Sequence, residues 1–224
     1  MSADGDQPAS GPAGSHPDCV PAGRIADAAD LADHYGAVSW RAERKVLDHV
    51  DRHMAAFIAL SPFLVMATAD AAGHADASPK GDEPGFVTVH DARTLLVPDR
   101  LGNNRTDSYR NILESGRVGL LFFVPGVAET LRVNGRAEIS TDPAWRRRLA
   151  ARGRDAVAVL VVQVEEAYLH CAKALIRSRL WEAEAQVERT VLPSMGRMLA
   201  DQIGGLDPEE SERMSEQSIR ERLW

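Results

Sequence analysis

Large apolar side chains are scarce in residues 1–23, a run dominated by Pro, Gly, Ala, Ser and Asp. Such a segment buries too little to offset its ordering entropy, so it is expected to be disordered. Residues 26–38 are weakly amphipathic. Val46, Val50, Met54, Phe57 and Ile58 then recur at helical spacing, with Arg44, Lys45, Asp48, Asp51 and Arg52 between them. That pattern predicts one helix over 41–59. Ser61-Pro62 ends it, because the residue before a proline avoids helical backbone.

From Phe63 the period shortens. Residues 63–68 form a short apolar run, Asp70-Ala71-Ala72-Gly73 reads as a turn, and 74–79 reads as the returning strand of a hairpin. Strands over 86–89 and 94–97 flank an Asp91-Ala92 turn. A helix is predicted over 104–114, an apolar strand over 117–124, and a long strand over 129–140 in which Gly135 marks a bulge or bend. Asp142-Pro143 supplies a cap and a first-turn proline for another helix. Residues 156–164 are β-branched and continue toward His170, 173–181 reads as a short helix, and Asp207-Pro208 opens a last one. The six or so strands are sequence neighbours joined by short turns, without alternating crossover helices. This predicts a mainly β fold, a closed antiparallel barrel with peripheral helices, and argues against a doubly wound parallel sheet. The expected organisation is a tail over 1–23, a helical segment over 24–60, the barrel domain over 61–182 and a helical extension over 183–224.

Composition narrows the function. The 224 residues are 44% hydrophobic and 26% charged, ordinary values for one globular domain with tails. Lys and Arg number 26 against 33 Asp and Glu, a net charge of −7. That disfavours a broadly basic nucleic-acid surface but leaves room for a small cationic pocket. Cys19 and Cys171 make no disulfide framework, so a reducing cytoplasm is the expected location. No apolar stretch approaches the ~18 residues of a membrane span, and no signal-peptide pattern opens the chain.

Three segments carry candidate chemistry. Pro98-Asp99-Arg100-Leu101-Gly102-Asn103-Asn104-Arg105-Thr106-Asp107-Ser108 joins a buried strand to a helix start, where free backbone N–H groups and the positive end of the dipole suit an anion. Asn104 is placed to cap that helix, Arg105 offers a planar fork to phosphate oxygens, and Ser108 follows one turn later. A capped polar loop with a solvated arginine is the competing reading. Ser78-Pro79-Lys80-Gly81-Asp82 puts a cation in a shaped turn at a strand end, or is an ordinary surface turn. Lys173, Arg177 and Trp181 fall at i, i+4 and i+8 and would share one helical face suited to an anionic aromatic ligand, or to solvent around a packed indole. No metal-ligand spacing or nucleophile signature is present.

Taken together, and with Arg117-Val118-Gly119-Leu120-Leu121-Phe122, the run from Glu129 to Ala137 and the segment from His170 to Trp181, these motifs resemble the pyridoxamine 5′-phosphate oxidase-like flavoproteins. The resemblance covers residues 55–181. It implies a split antiparallel β-barrel that forms a homodimer, with FMN at the subunit interface, acting as an oxidoreductase on an unidentified small molecule. It also implies that Ser78, Pro79, Lys80 and Gly81 line the flavin, that Pro98 and Asp99 border it, and that Asn104, Arg105 and Ser108 hold its phosphate. Lys173, Arg177 and Trp181 would reach over the ring from the partner subunit, and Arg132 would lie near the interface. Two departures bear on the substrate. Vitamin B6 oxidases carry Ser-Arg-Lys at the helix start, where Ser108 stands about at the lysine position, and they end in Arg-Leu-x-Pro, where this chain has Arg222-Leu223-Trp224. Pyridoxamine phosphate is therefore not implied as substrate, and no catalytic acid or base is assigned. The alternatives are a non-catalytic binder of flavin, heme or F420 in storage or sensing, and a structural homodimer without a ligand.

Overall fold

A computed structural model describes residues 23–223, so the tail expected over 1–23, apart from Gly23, lies outside the described residues, as does Trp224. The chain divides into two units, Met1–Trp40 and Arg41–Trp224. In the first, α1 (Ala28–Tyr35) is capped by the Asp27 carboxylate, which accepts from the amides of Ala29 and Asp30, and buries none of its residues.

The single helix expected over 41–59 is two, α2 (Trp40–Arg44) and α3 (Arg52–Leu60). The apolar period runs on between them, but tertiary bonds take that backbone. Leu47 N–H donates to the Ala167 carbonyl at 3.0 Å and the Leu47 carbonyl accepts from Ala167 N–H at 2.7 Å, while Val50 N–H reaches the Ala92 carbonyl at 2.7 Å. Asp51 then starts α3 afresh, its carboxylate accepting from His53 and Met54 N–H.

Seven strands follow: β1 (Phe63–Ala69), β2 (Ala75–Gly81), β3 (Thr88–Asp91), β4 (Thr94–Pro98), β5 (Arg117–Phe123), β6 (Thr130–Ser140) and β7 (Val159–His170). Their order is β2-β1-β5-β6-β7-β4-β3, and every pairing is antiparallel. The fold is thus a mainly β split barrel with helices around it. The expectation of a closed barrel is corrected, because the edges β2 and β3 are not paired with each other. Pro79 removes a donor from the β2 edge, and β3 has four residues with a shifted register against β4. The β1–β2 hairpin keeps its expected turn, with Ala69 opposite Ala75.

Alternation builds the core. Leu64, Met66, Leu120, Phe122, Leu131, Val133, Leu160 and Val162 point inward and are almost fully buried, each contributing roughly 1.5–3 kcal/mol. The opposite face of β1, β2 and β5 stays largely apolar and solvent-accessible, through Phe63, Val65, Ala67, Ala77, Pro79 and Leu121. Gly135 has the expected role. The β6–β7 register shifts between Asn134 and Gly135, and a Cβ at Gly135 would lie 2.0 Å from the Gln163 carbonyl oxygen. Asp142 caps α5 (Pro143–Arg148) through the amides of Ala144 and Trp145.

The last expected alignment fails. Helix α6 (Lys173–Ser178) stops where Arg179 turns left-handed with φ 53°, so Trp181 lies beyond it and shares no helical face with Lys173 and Arg177. Beyond it, α7 (Met195–Ile203) and α8 (Pro208–Arg222) pack on each other. A Cβ at Gly196 would meet the Glu212 amide nitrogen at 2.4 Å. No helix among the described residues is long and apolar enough to cross a membrane.

Candidate functional site

The end of β2 and the end of β4 meet the loop leading into α4 (Asp107–Ser115). They enclose a cavity of about 430 Å3. Eight of the twelve residues singled out from sequence line it: Ser78, Pro79, Lys80 and Gly81 from β2, Pro98 at the end of β4 with Asp99 after it, and Asn104 and Arg105 before α4. Lys80, Arg100, Arg105 and Arg222 contribute positive charge to the lining, and among the described residues Asp99 is its one carboxylate. Counting their ion-pair partners Asp82, Asp99 and Asp107, the four cations still exceed the acids by one, in a chain of net charge −7.

The wall is held by two charged clusters. Arg100 Nε donates to Asp82 Oδ2 at 2.6 Å and Nη1 to the Leu149 carbonyl at 2.7 Å, with the Asp82 side chain only 3% exposed. This nearly buried pair ties the end of β2 to the loop after β4, and removing either partner would strand the other's charge. Lys80 Nζ lies 3.5 Å from Asp99 Oδ1 and 4.9 Å from the centre of the Tyr109 ring. Burial first, and then the charge of Asp99, push the Tyr109 phenol far above its ordinary range, so it stays neutral. Lys80 keeps donors for the cavity.

The phosphate loop differs from expectation in its capping. Asn104 does not cap α4 but sits left-handed at φ 60°, a conformation asparagine tolerates. Asn103 Oδ1 instead accepts from the Arg105 amide at 3.0 Å, an Asx turn. Thr106 occupies the cap position without a side-chain bond, so first-turn amides of α4 remain for a ligand or solvent. Arg105 is largely exposed, and its Nε bonds Asp107 Oδ2 at 2.5 Å. That bond, the charge of Asp107, and more weakly Asp76, hold the guanidinium pKa above its ordinary value. Ser108 is buried behind the loop, outside the cavity lining, and its hydroxyl donates to Asp76 Oδ2 at 2.5 Å. At the far rim Arg222 Nη1 donates to the Gly102 carbonyl at 3.2 Å, and Leu223 lines the cavity beside it.

Lys173, Arg177 and Trp181 do not line the cavity of their own chain. Trp181 Nε1 donates to the Val127 carbonyl at 2.9 Å. A larger depression of about 550 Å3 opens on the outward sheet face at Ala67, Gly119 and Asn134. Its Arg117 pairs with Glu165, which also accepts from Arg136 at 3.0 Å, so its charges largely satisfy each other. Sequence reasoning missed Tyr109 and Asp76, and read Asp82 only as part of the turn after Gly81. Each acts through a partner from another element, and no local spacing signals that.

The strand order and the cationic cavity between β2, β4 and α4 define a split-barrel protein. Residues 50–171, more than half of the chain, match the family model of pyridoxamine 5′-phosphate oxidase, and the chain belongs to that family. No curated protein matches it. Among solved structures it is similar to HupZ of Group A Streptococcus, 22% identical over 54% of this chain and 93% of that one, with a TM-score of 0.45. It is also similar to General Stress Protein 26 of Bacillus anthracis, 16% identical over 52% of this chain and 93% of that one, TM-score 0.39. A further likeness is to HutZ, titled the heme storage protein of Vibrio cholerae, 13% identical over 54% and 93%, TM-score 0.37.

Proposed function

We propose that the chain binds FMN in the cavity between β2, β4 and α4 and acts as an FMN-dependent oxidoreductase on a small molecule. The observation that carries this reading is the convergence of Lys80, Arg100, Arg105 and Arg222 on one cavity in an acidic chain. A nearly dianionic phosphate calls for such a lining. Its size falls within the ordinary range for cofactor sites.

The residues present fit the group. Arg105 would release Asp107 and turn its fork onto the phosphate beside the first-turn amides of α4, with Ser108 behind them. Ser78 to Gly81, Pro98, Asp99 and Asn104 would border the rest of the cofactor. Lys80, fixed by Asp99, holds a positive charge at the wall, and Tyr109 supports both. The flavin, when bound, supplies the hydride and electron transfer. The chain binds it, orients it and excludes water.

Members of this family bind flavin-type cofactors and are often dimers. The outward apolar face of β1, β2 and β5 is suited to a second copy, whose Lys173, Arg177 and Trp181 would then cover the ring. The indole N–H of Trp181 is already used by Val127, which leaves its faces for stacking. Heme is the less favoured occupant. Among the described residues, no His, Cys or Met lines the cavity to serve as an axial ligand.

Mass spectrometry and absorbance of the ligand released on denaturing the purified protein test the reading. FMN is expected; heme, F420 or no ligand contradicts it. Reduction of the bound flavin by a nicotinamide nucleotide, and its reoxidation by air or an acceptor, is expected of an oxidoreductase and not of a storage protein.

A further inference from the structure

A second set of donors gathers at the end of β7, away from the Pro98–Val159 pairing that borders the cavity. Its centre is Tyr168. Lys45 Nζ lies 5.2 Å from the Tyr168 ring centre and donates to the Leu169 carbonyl at 2.9 Å. Arg132, opposite Tyr168 on β6, places its guanidinium carbon 5.6 Å from the same ring and donates from Nη1 to the Tyr168 hydroxyl at 3.0 Å. The His170 ring follows at 6.2 Å from the Tyr168 ring.

Three observations show that this cluster is incomplete. First, no ion pair among the described residues includes Lys45, Arg132 or His170, although acids outnumber bases by 33 to 26. Arg136, four residues along the same strand, is paired with Glu165, so β6 does not simply lack acids within reach. The closest acid along β7, Glu166, is engaged by Asn134 Nδ2 at 3.0 Å. Second, the hydrogen bonds described use one of the three ammonium donors of Lys45 and one of the five guanidinium donors of Arg132. Third, His170 Nδ1 is buried with no hydrogen-bond partner, and among the described residues no other buried side-chain nitrogen or oxygen shares that condition. A buried orphan of this kind costs roughly the desolvation of the group unless something fills the place beside it. Burial, then Arg132 and Lys45, hold this imidazole below its ordinary pKa, the response of a group facing cations with no counter-charge.

We propose that Lys45, Arg132 and His170 form an oxyanion site, separate from the cavity, that takes the carboxylate or phosphate group of a small molecule. Arg132 supplies the planar fork, Lys45 a point charge, and His170 a hydrogen bond through Nδ1. Both cations keep one face on Tyr168. The site is independent of whether the cavity holds FMN.

The test follows the His170 imidazole nitrogens by NMR in full-length, histidine-labelled protein at fixed pH, identified by their loss in His170→Gln. Sodium phosphate and sodium succinate are titrated separately, with sodium chloride at matched ionic strength. A saturable shift of His170 toward the imidazolium position is expected with at least one oxyanion and not with chloride. The anion with the lower midpoint identifies the group the site prefers. The midpoint is expected to rise at least fivefold in Arg132→Gln and in Lys45→Gln. Lys45 is exposed, so its substitution leaves the core intact. Arg105→Ala, at the cavity, is expected to leave the His170 midpoint where it was. A drift that chloride reproduces, a midpoint unchanged in both β7-end variants, or one lost in Arg105→Ala overturns the proposal.

Discussion

Arg105 and Asp107 show how the helix α4 end is poised. A helix N-terminus favours negative charge, and here the chain's own Asp107 supplies it while holding the Arg105 fork. On the proposed reading, a phosphate arriving there would displace that carboxylate from the guanidinium. Asp107→Asn should therefore tighten FMN binding several-fold, read by quenching of flavin fluorescence in an equilibrium titration. Weaker binding would mean that Arg105 is not released onto the phosphate. The residues legible in the sequence were those whose chemistry is local. Asp142 capped its helix because the cap and the amides it serves are within three residues. Tyr109 was not legible, because its neighbours Asp99, in the loop after β4, and Lys80, on β2, come from other elements. Asn104 was misread because a preceding asparagine made the Asx turn, a choice set by backbone angle and not by residue type.

Among the elements, the β6–β7 pair shows local sequence and tertiary packing in agreement. Gly135 was legible as a bulge because glycine inside a strand has few other uses, and the Gln163 carbonyl fills the space a side chain would need. Gly135→Ala should lower stability by about 1–3 kcal/mol, the range for overpacking, seen as a reduced midpoint in chemical denaturation. An unchanged midpoint would mean that the bulge relaxes freely. The single helix read over 41–59 failed for the opposite reason. Its apolar period was real, but the Leu47 backbone pairs with Ala167, and periodicity carries no trace of so distant a partner.

The β1–β2 turn carries its own pH dependence. Asp70 accepts from His74 Nδ1 at 2.7 Å and from the amides of Ala72 and His74. The His74 bond leads in lowering the Asp70 pKa, and the Asp70 bond leads in raising that of His74. The imidazole contribution is complete below the ordinary histidine value of 6.5 and is lost as pH rises through the raised one. The carboxylate contribution is complete above the ordinary value of 3.8 and is lost as pH falls through the lowered one. The turn should be firmest between those two values. Hydrogen exchange at Ala72 and His74, corrected for intrinsic rates, should be slowest there, and a flat profile across pH 3 to 8 would contradict this.

At the scale of the whole molecule, the split barrel leaves one face of β1, β2 and β5 apolar and accessible, while the residues expected to cover the ring lie outside their own chain's cavity. On the proposed reading, a second copy would cover that face and bring those residues to the ring. Val65→Glu, at the centre of that face, should yield a monomer by light scattering and lose FMN together with the dimer. A monomer that keeps its flavin would remove the partner from the site. The mainly β, antiparallel architecture was legible because short turns and neighbouring strands leave few topologies. The open seam between β2 and β3 was not, since it depends on which distant edges fail to meet.

On the proposed reading, the cavity before α4 grips a phosphate through Arg105. Parallel equilibrium titrations with FMN and with riboflavin, which lacks only that phosphate, test it most directly. The wild-type chain should bind FMN roughly tenfold or more tightly than riboflavin, and Arg105→Ala should bring the two affinities close together. Equal affinities in the wild type, or an FMN preference that survives in Arg105→Ala, would contradict it.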